Sequence, residues 1–189
     1  MVTSVKDMLE PTGRLRFADI RGFAKTVNHS IFQHQFTHPI LVGAALLQGA
    51  MKHQNAATAG TTMSFDLEAL AAHASAKQSD PSGLQRAIYP LLKQDLSISP
   101  SHVFTVGRDN QNDLVLVDYT ISRTHAQIKL ENGRYFVTDQ GSTNGTVMDG
   151  TRLTPQKDYP FNAKNEVRFG RFSFIVMTAT DLYVHLRAL

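Results

Sequence analysis

Apolar and polar positions change rhythm once along this chain, near residues 79–86. Beyond that point the apolar runs are short and alternate with polar ones. Ala126, Ile128 and Leu130 are separated by Gln127 and Lys129, the period of a half-buried strand. Val103-Phe104-Thr105-Val106, Tyr135-Phe136-Val137-Thr138 and Thr146-Val147-Met148 read as further strands, as do residues 87–92, 113–117, 151–153, 166–169 and 171–177. Asn132-Gly133 and Asp149-Gly150 supply the residue pairs that a tight hairpin needs at positive φ. Many short strands at this spacing predict an antiparallel β-sandwich of about 90–100 residues, here over residues 87–178.

The earlier part reads as mainly helical over residues 1–80. Ile20, Phe23, Val27 and Ile31 recur at helical spacing and define one apolar face, interrupted by Gly22 and stopped by Pro39. Ile40-Leu41-Val42 suits a strand or a buried helical turn equally, because periodicity cannot separate the two. Residues 51–62, rich in Ala, Thr, Gly and Asn, predict a flexible linker. Ser64 is placed to cap a helix carrying Leu67, Leu70, Ala71 and Ala74, with Asp66 and Glu68 near its positive end. Ser79-Asp80-Pro81-Ser82-Gly83 is a dense turn signal. At the other end, Leu182, Tyr183, Leu186 and Leu189 predict a short C-terminal helix over residues 180–189, capped by Thr180 or Asp181.

Composition narrows the function classes. Of 189 residues, 42% are hydrophobic and 19% charged, as in a soluble globular protein with room for a real core. Cysteine is absent, which removes disulfides and thiol catalysis. Residues 1–11 lack the apolar centre of a signal peptide, and the longest strongly apolar run, residues 40–47, is too short to span a bilayer. A cytoplasmic protein with no membrane partner is expected. The net charge of +3 permits an acidic partner without demanding one. Basic residues are scattered and not interleaved with aromatics, so no nucleic-acid partner is expected.

The most informative stretch is 107–145. Gly-Arg occurs four times, at Gly13, Gly107, Gly133 and Gly170. Only the pair Gly107-Arg108 is followed in register by Ser122-Arg123-Thr124-His125 and then by Gly141-Ser142-Thr143-Asn144-Gly145-Thr146. A fixed cation, hydroxyls and an amide near strand ends suit capture of a phosphorylated side chain and the backbone beside it.

With Phe104-Thr105-Val106 and Asn112-Asp113 added, these motifs resemble the forkhead-associated (FHA) domain of the SMAD/FHA architecture, in its bacterial type, over roughly residues 87–178. The resemblance implies a mainly β phosphothreonine-binding sandwich, here with an N-terminal helical extension and a short C-terminal helix. It implies that Arg108 and Ser122 contact the phosphate, with Thr143 supplying another donor and Asn144 clamping the peptide backbone. Arg123 stands where some members assist binding. Gly107, His125 and Gly145 would support the site. Thr120 occupies the position that helps to read the residue three places after the phosphothreonine, and its neutrality argues against strong selection for an acid there.

The expected function is therefore a phosphothreonine-dependent adaptor downstream of a Ser/Thr kinase, with no catalysis, cofactor or metal. Its partner is a phosphothreonine protein or peptide, a kinase or a kinase substrate. The alternative is an assembly module that uses the sandwich and helical region for phospho-independent association, with self-association if the Ile20 stripe is exposed. Thr3, Thr58, Thr61 and Thr62 are candidates for phosphorylation and docking in cis or in trans. His29, His34 and His38 have spacings near those of a metal site but no cysteine or intervening carboxylate. Ser122 and His125 lack the orienting carboxylate of a nucleophilic pair.

Overall fold

The computed structural model describes residues 4–46 and 86–189. Those residues hold helices α1 (Phe17–Thr26), α2 (His29–Gln33) and α3 (Ala179–Ala188). Their strands are β1 (Ile40–Leu46), β2 (Ile88–Pro90), β3 (Val103–Gly107), β4 (Leu114–Val115), β5 (Ala126–Glu131), β6 (Arg134–Asp139), β7 (Thr146–Met148), β8 (Thr151–Arg152), β9 (Asp158–Pro160), β10 (Glu166–Phe169) and β11 (Phe172–Met177). The predicted linker near 51–62, the helix after Ser64, the turn at 79–83, Leu47 and the four candidate phosphorylation threonines lie outside the described residues.

Two sheets form the sandwich. One is ordered β2-β1-β11-β10-β7-β8 and the other β4-β3-β5-β6-β9. The named strand pairs are antiparallel except β3 with β4, which run parallel, with Gly107 opposite Val115. The purely antiparallel expectation is corrected there. The loop between them leaves β3 and returns beside it, which carries Arg108 to the end of the sheet. The run expected over 113–117 pairs only at Leu114–Val115, and Val117 is exposed.

Both hairpin dipeptides adopt the expected backbone. Asn132 and Gly133 have φ of 49° and 74°, and Asp149 and Gly150 have 48° and 78°. Those values match the turn whose twist suits paired strands.

The core is double. Between the sheets, Leu41, Phe104, Val106, Ile128, Val137, Phe161, Phe169 and Phe174 pack with little or no exposure. On the outer face of the larger sheet a second cluster joins Ile20, Phe23, Phe32, Phe36, Ile40, Val42, Ile88, Leu182 and Leu186. Strand β1 is common to both. Leu41 faces the first core while Ile40 and Val42 face the second. A strand buried on both faces needs no polar alternation, which is why its sequence was ambiguous.

Several expectations change accordingly. Within the stretch read as mainly helical, Ile40–Leu46 is a strand paired with β11 and β2 inside the sandwich. The stripe from Ile20 to Ile31 is not one helix. Helix α1 ends at Thr26, Asn28 caps a new helix by accepting from the Ile31 N–H at 2.9 Å, and Ile31 is exposed. Asn competes with helical backbone bonding through its own side chain, so a break there is chemically natural.

Helix α3 starts one turn position earlier than expected. Thr178 is the cap, with a reciprocal bond to Asp181, so Asp181 serves at the third helical position and Thr180 is exposed. Leu182 and Leu186 are fully buried against α1 and α2, whereas Leu189 is exposed. The chain's two ends thus make one helical layer on the sheet.

Candidate functional site

Three loops converge at one end of the sandwich: β3–β4 with Arg108, β4–β5 with residues 118–125, and β6–β7 with residues 140–145. Hydrogen bonds join them to one another. The Arg108 N–H donates to the Ser122 carbonyl at 3.0 Å. The Asn112 side-chain amide donates to the Asp109 and Arg123 carbonyls, each at 2.8 Å. The Thr143 N–H donates to Ser122 Oγ at 3.1 Å, and the two hydroxyls stand 3.5 Å apart. The Asn144 side-chain amide donates to the Thr120 carbonyl at 2.8 Å.

Gly107 is dictated by close approach rather than by its torsion. A Cβ there would lie 2.1 Å from the Arg123 carbonyl oxygen and 2.7 Å from Asn112 Nδ2. Only a missing side chain lets the first two loops meet.

His125 is fully buried and links the second loop to the third. Its Nδ1 accepts from the Ser122 N–H at 3.2 Å, so its proton belongs on Nε2, 3.2 Å from the Gly145 carbonyl. Burial lowers its pKa, opposed by the Gly145 hydrogen bond and by Asp139. The neutral ring is the form that can accept from one loop and donate to the other. Gly145 has φ of 75°, and a Cβ on it would meet the Arg152 guanidinium at 2.7 Å.

The sequence-predicted residues are therefore brought together, though in different environments. Arg108 and Ser122 are partly exposed, and Arg123 and Thr143 are exposed. Asn144 is nearly buried. The Thr120 side chain, expected at a selectivity position, is directed into the protein. It is fully buried and donates from Oγ1 to Asp118 at 2.7 Å, while its carbonyl receives Asn144.

The three histidines near the start serve three separate places. His29 meets Thr180 at 3.0 Å, His34 donates back to the Ser30 carbonyl at 2.6 Å, and His38 meets the Tyr135 hydroxyl at 2.7 Å.

Residues 104–170 match the family model of the FHA domain. Within residues 104–170, then, lies an FHA domain. Over 73 residues it is 32% identical to the "Oxoglutarate dehydrogenase inhibitor" of Corynebacterium efficiens, covering 39% of this chain and 49% of that one. Over 76 residues it is 34% identical to the "Glycogen accumulation regulator GarA" of Mycobacterium tuberculosis, covering 40% and 45%. The chain thus spans about half the length of the curated relatives it matches. Among solved structures, the FHA domain of the CT664 protein from Chlamydia trachomatis is 29% identical, with a TM-score of 0.41 over 49% of this chain and 85% of that one.

Residues that sequence reading missed hold the FHA loops in place. Asp139 is fully buried and accepts from the Gly141 and Ser142 N–H groups at 3.0 Å, and from the Ser142 and Thr146 hydroxyls at 2.6 and 2.7 Å. An Asp two residues before Gly-Ser was the available signal. Asp118 accepts from Thr120 and also takes the Arg171 guanidinium at 2.6 Å. Arg171 lies beyond β10 and stacks over the Tyr119 ring at 4.9 Å. The fourth Gly-Arg pair, Gly170-Arg171, is therefore structural: it props the Thr120 loop from the opposite sheet. Sequence offered no cue to that long-range pairing.

Proposed function

We propose that this chain is a non-catalytic adaptor that binds phosphothreonine peptides through Arg108, Ser122, Thr143 and Asn144, downstream of a Ser/Thr kinase. The observation that carries this reading is the junction of Ser122 with Thr143 and with the Arg108 backbone, at 3.1 and 3.0 Å. It places a hydroxyl, a backbone N–H and a permanently charged planar fork on adjoining loops before any ligand arrives. A phosphothreonine brings nearly two negative charges and three acceptor oxygens to such donors. Arg108 supplies the charge, Ser122 and the Thr143 N–H turn from each other to the phosphate, and Asn144 holds the neighbouring peptide backbone. Arg123, exposed beside them, adds long-range attraction.

Hydrogen bonds to charged groups contribute about 1.5–3 kcal/mol each. Three or four of them, less the ordering of a flexible peptide, give a dissociation constant of order micromolar. The names of the two relatives, an inhibitor and a regulator, support a regulatory role without chemistry of its own. The helical layer acts as a brace in this reading, because Ile20 and Phe23 are buried within the chain.

The test is titration of a phosphothreonine peptide library and its unphosphorylated counterpart against the wild type and Arg108→Ala. The reading expects phosphate-dependent binding that Arg108→Ala weakens by at least about tenfold, the loss of one charge-assisted bond. Weak binding indifferent to phosphate in both proteins would sink it.

A further inference from the structure

A pair of arginines lies beyond the phosphate-facing loops. Strand β7 is flanked by β8 and β10, and Val147 is the register partner of both Arg152 and Arg168. Directly paired residues point to the same face of a sheet. Arg152 and Arg168 therefore flank Val147 on one face, away from the interior that Val167 and Phe169 fill. Arg152 runs back toward the site, since its guanidinium lies against Gly145, next to Asn144.

Their charges are close enough to act on each other. Burial is the first cause that lowers the pKa of Arg168; Glu166 opposes it, and the charge of Arg152 lowers it further. Glu166 accepts a hydrogen bond from the hydroxyl of Ser173, the register partner of Arg168. Among the described residues, neither guanidinium forms a salt bridge. Two cations side by side, one of them partly buried, favour an anion between them.

We propose that Arg152 and Arg168 bind acidic side chains of the phosphopeptide itself, on the Asn144 side of the phosphothreonine. This rests on the phosphothreonine reading above and adds a sequence preference to it. The occupant follows from charge and position. Gly145 adjoins Asn144, and the Arg152 guanidinium lies on Gly145. At roughly 3.3 Å per residue, carboxylates about three to five residues from the phosphothreonine of an extended peptide lie about 10–17 Å from it. The preference is thus set by strands β8 and β10, beyond the loops to which sequence reading assigned selectivity.

The test is fluorescence anisotropy with three phosphothreonine peptides: a neutral one, one with a Glu pair on the N-terminal side, and one with it on the C-terminal side. One acidic peptide is expected to bind the wild type about three- to tenfold tighter than the neutral one at low ionic strength, with the advantage shrinking in high salt. Arg168→Gln and the double variant Arg152→Gln/Arg168→Gln are expected to lose that ratio, while Arg152→Lys keeps most of it. Using the ratio removes any general loosening of the Gly145 loop. An acidic preference undiminished in the double variant, or none in the wild type that binds the neutral peptide well, would overturn the inference. Failure of the wild type to bind even the neutral peptide would instead overturn the phosphothreonine reading beneath it.

Discussion

Gly107→Ala tests whether the loops are held by close backbone approach. The added methyl would sit 2.1 Å from the Arg123 carbonyl oxygen and 2.9 Å from its carbon. These are backbone atoms, so no side chain can swing clear. Relief needs about 1 Å of separation between the loops, an overpacking cost of about 1–3 kcal/mol. The same movement stretches the Arg108 N–H to Ser122 bond and the Asn112 to Arg123 bond, now 3.0 and 2.8 Å. Each contributes about 0.5–1.5 kcal/mol. Together these predict a loss of about 2–6 kcal/mol, or a melting temperature lower by roughly 4–24 °C for a chain of this size.

Gly22→Ala is the matched control. Gly22 is exposed within α1, and nothing lies within 4 Å of its added methyl. That change is expected to stabilise the helix by about 0.5–1 kcal/mol. Calorimetry gives both melting temperatures, and titration with a phosphothreonine peptide reads the site. Gly107→Ala should also weaken binding by about tenfold, because Arg108 moves with its backbone. A Gly107→Ala protein that melts with the wild type and binds the peptide equally would refute this account.

Three further outcomes are expected. Asp118→Ala leaves Arg171 and the Thr120 loop without their shared acceptor, at a cost of about 1–3 kcal/mol; urea unfolding should show the loss, and hydrogen exchange should quicken at residues 118–122. Stability should fall as pH drops below about 6.5, because burial depresses the pKa of His125 and His38 in the folded state while the unfolded chain takes up protons near that value. Both groups contribute fully above that pH, and the loss grows as pH falls toward their folded values; thermal melts between neutral and mildly acidic pH measure it, and a flat profile counts against neutral buried rings. Leu182→Ala should cost about 2–5 kcal/mol, since its side chain is fully buried where α3 meets α1 and α2; melting curves by circular dichroism check it.

Much of the sandwich was legible because its strands are local. Alternation exposed β5, and the two Asn-Gly and Asp-Gly turns announced their hairpins. The loop motifs were equally readable, since Arg108, Ser122 and Asn144 keep their order along the chain. What escaped was set by distant contacts. Strand β1 is covered on both faces, so its run of apolar residues carries no period. The burial of Thr120 depends on Gly170 and Arg171, some fifty positions later, as the Arg171 N–H to Thr120 bond shows. Asp118 and Asp139 looked like ordinary turn carboxylates until their several donors were in view. The helix break at Asn28 was readable in chemistry, but the regular spacing of Ile20 to Ile31 masked it.

Strand β1 has a consequence for how the domain can be cut. The family match begins at Phe104, yet β11 takes hydrogen bonds from β1, which lies some sixty residues upstream. A fragment trimmed to the matched region, residues 104–170, would lose β1, β2 and β11 together and leave β10 as a raw edge. Such a fragment should be prone to aggregation, and its failure would say nothing about phosphopeptide affinity. With one strand common to both apolar clusters, the helical cap and the sandwich should melt in a single cooperative transition. The smallest heritable unit of this fold is therefore larger than its signature, and recombination that exchanges the signature alone would carry off the reader without its frame.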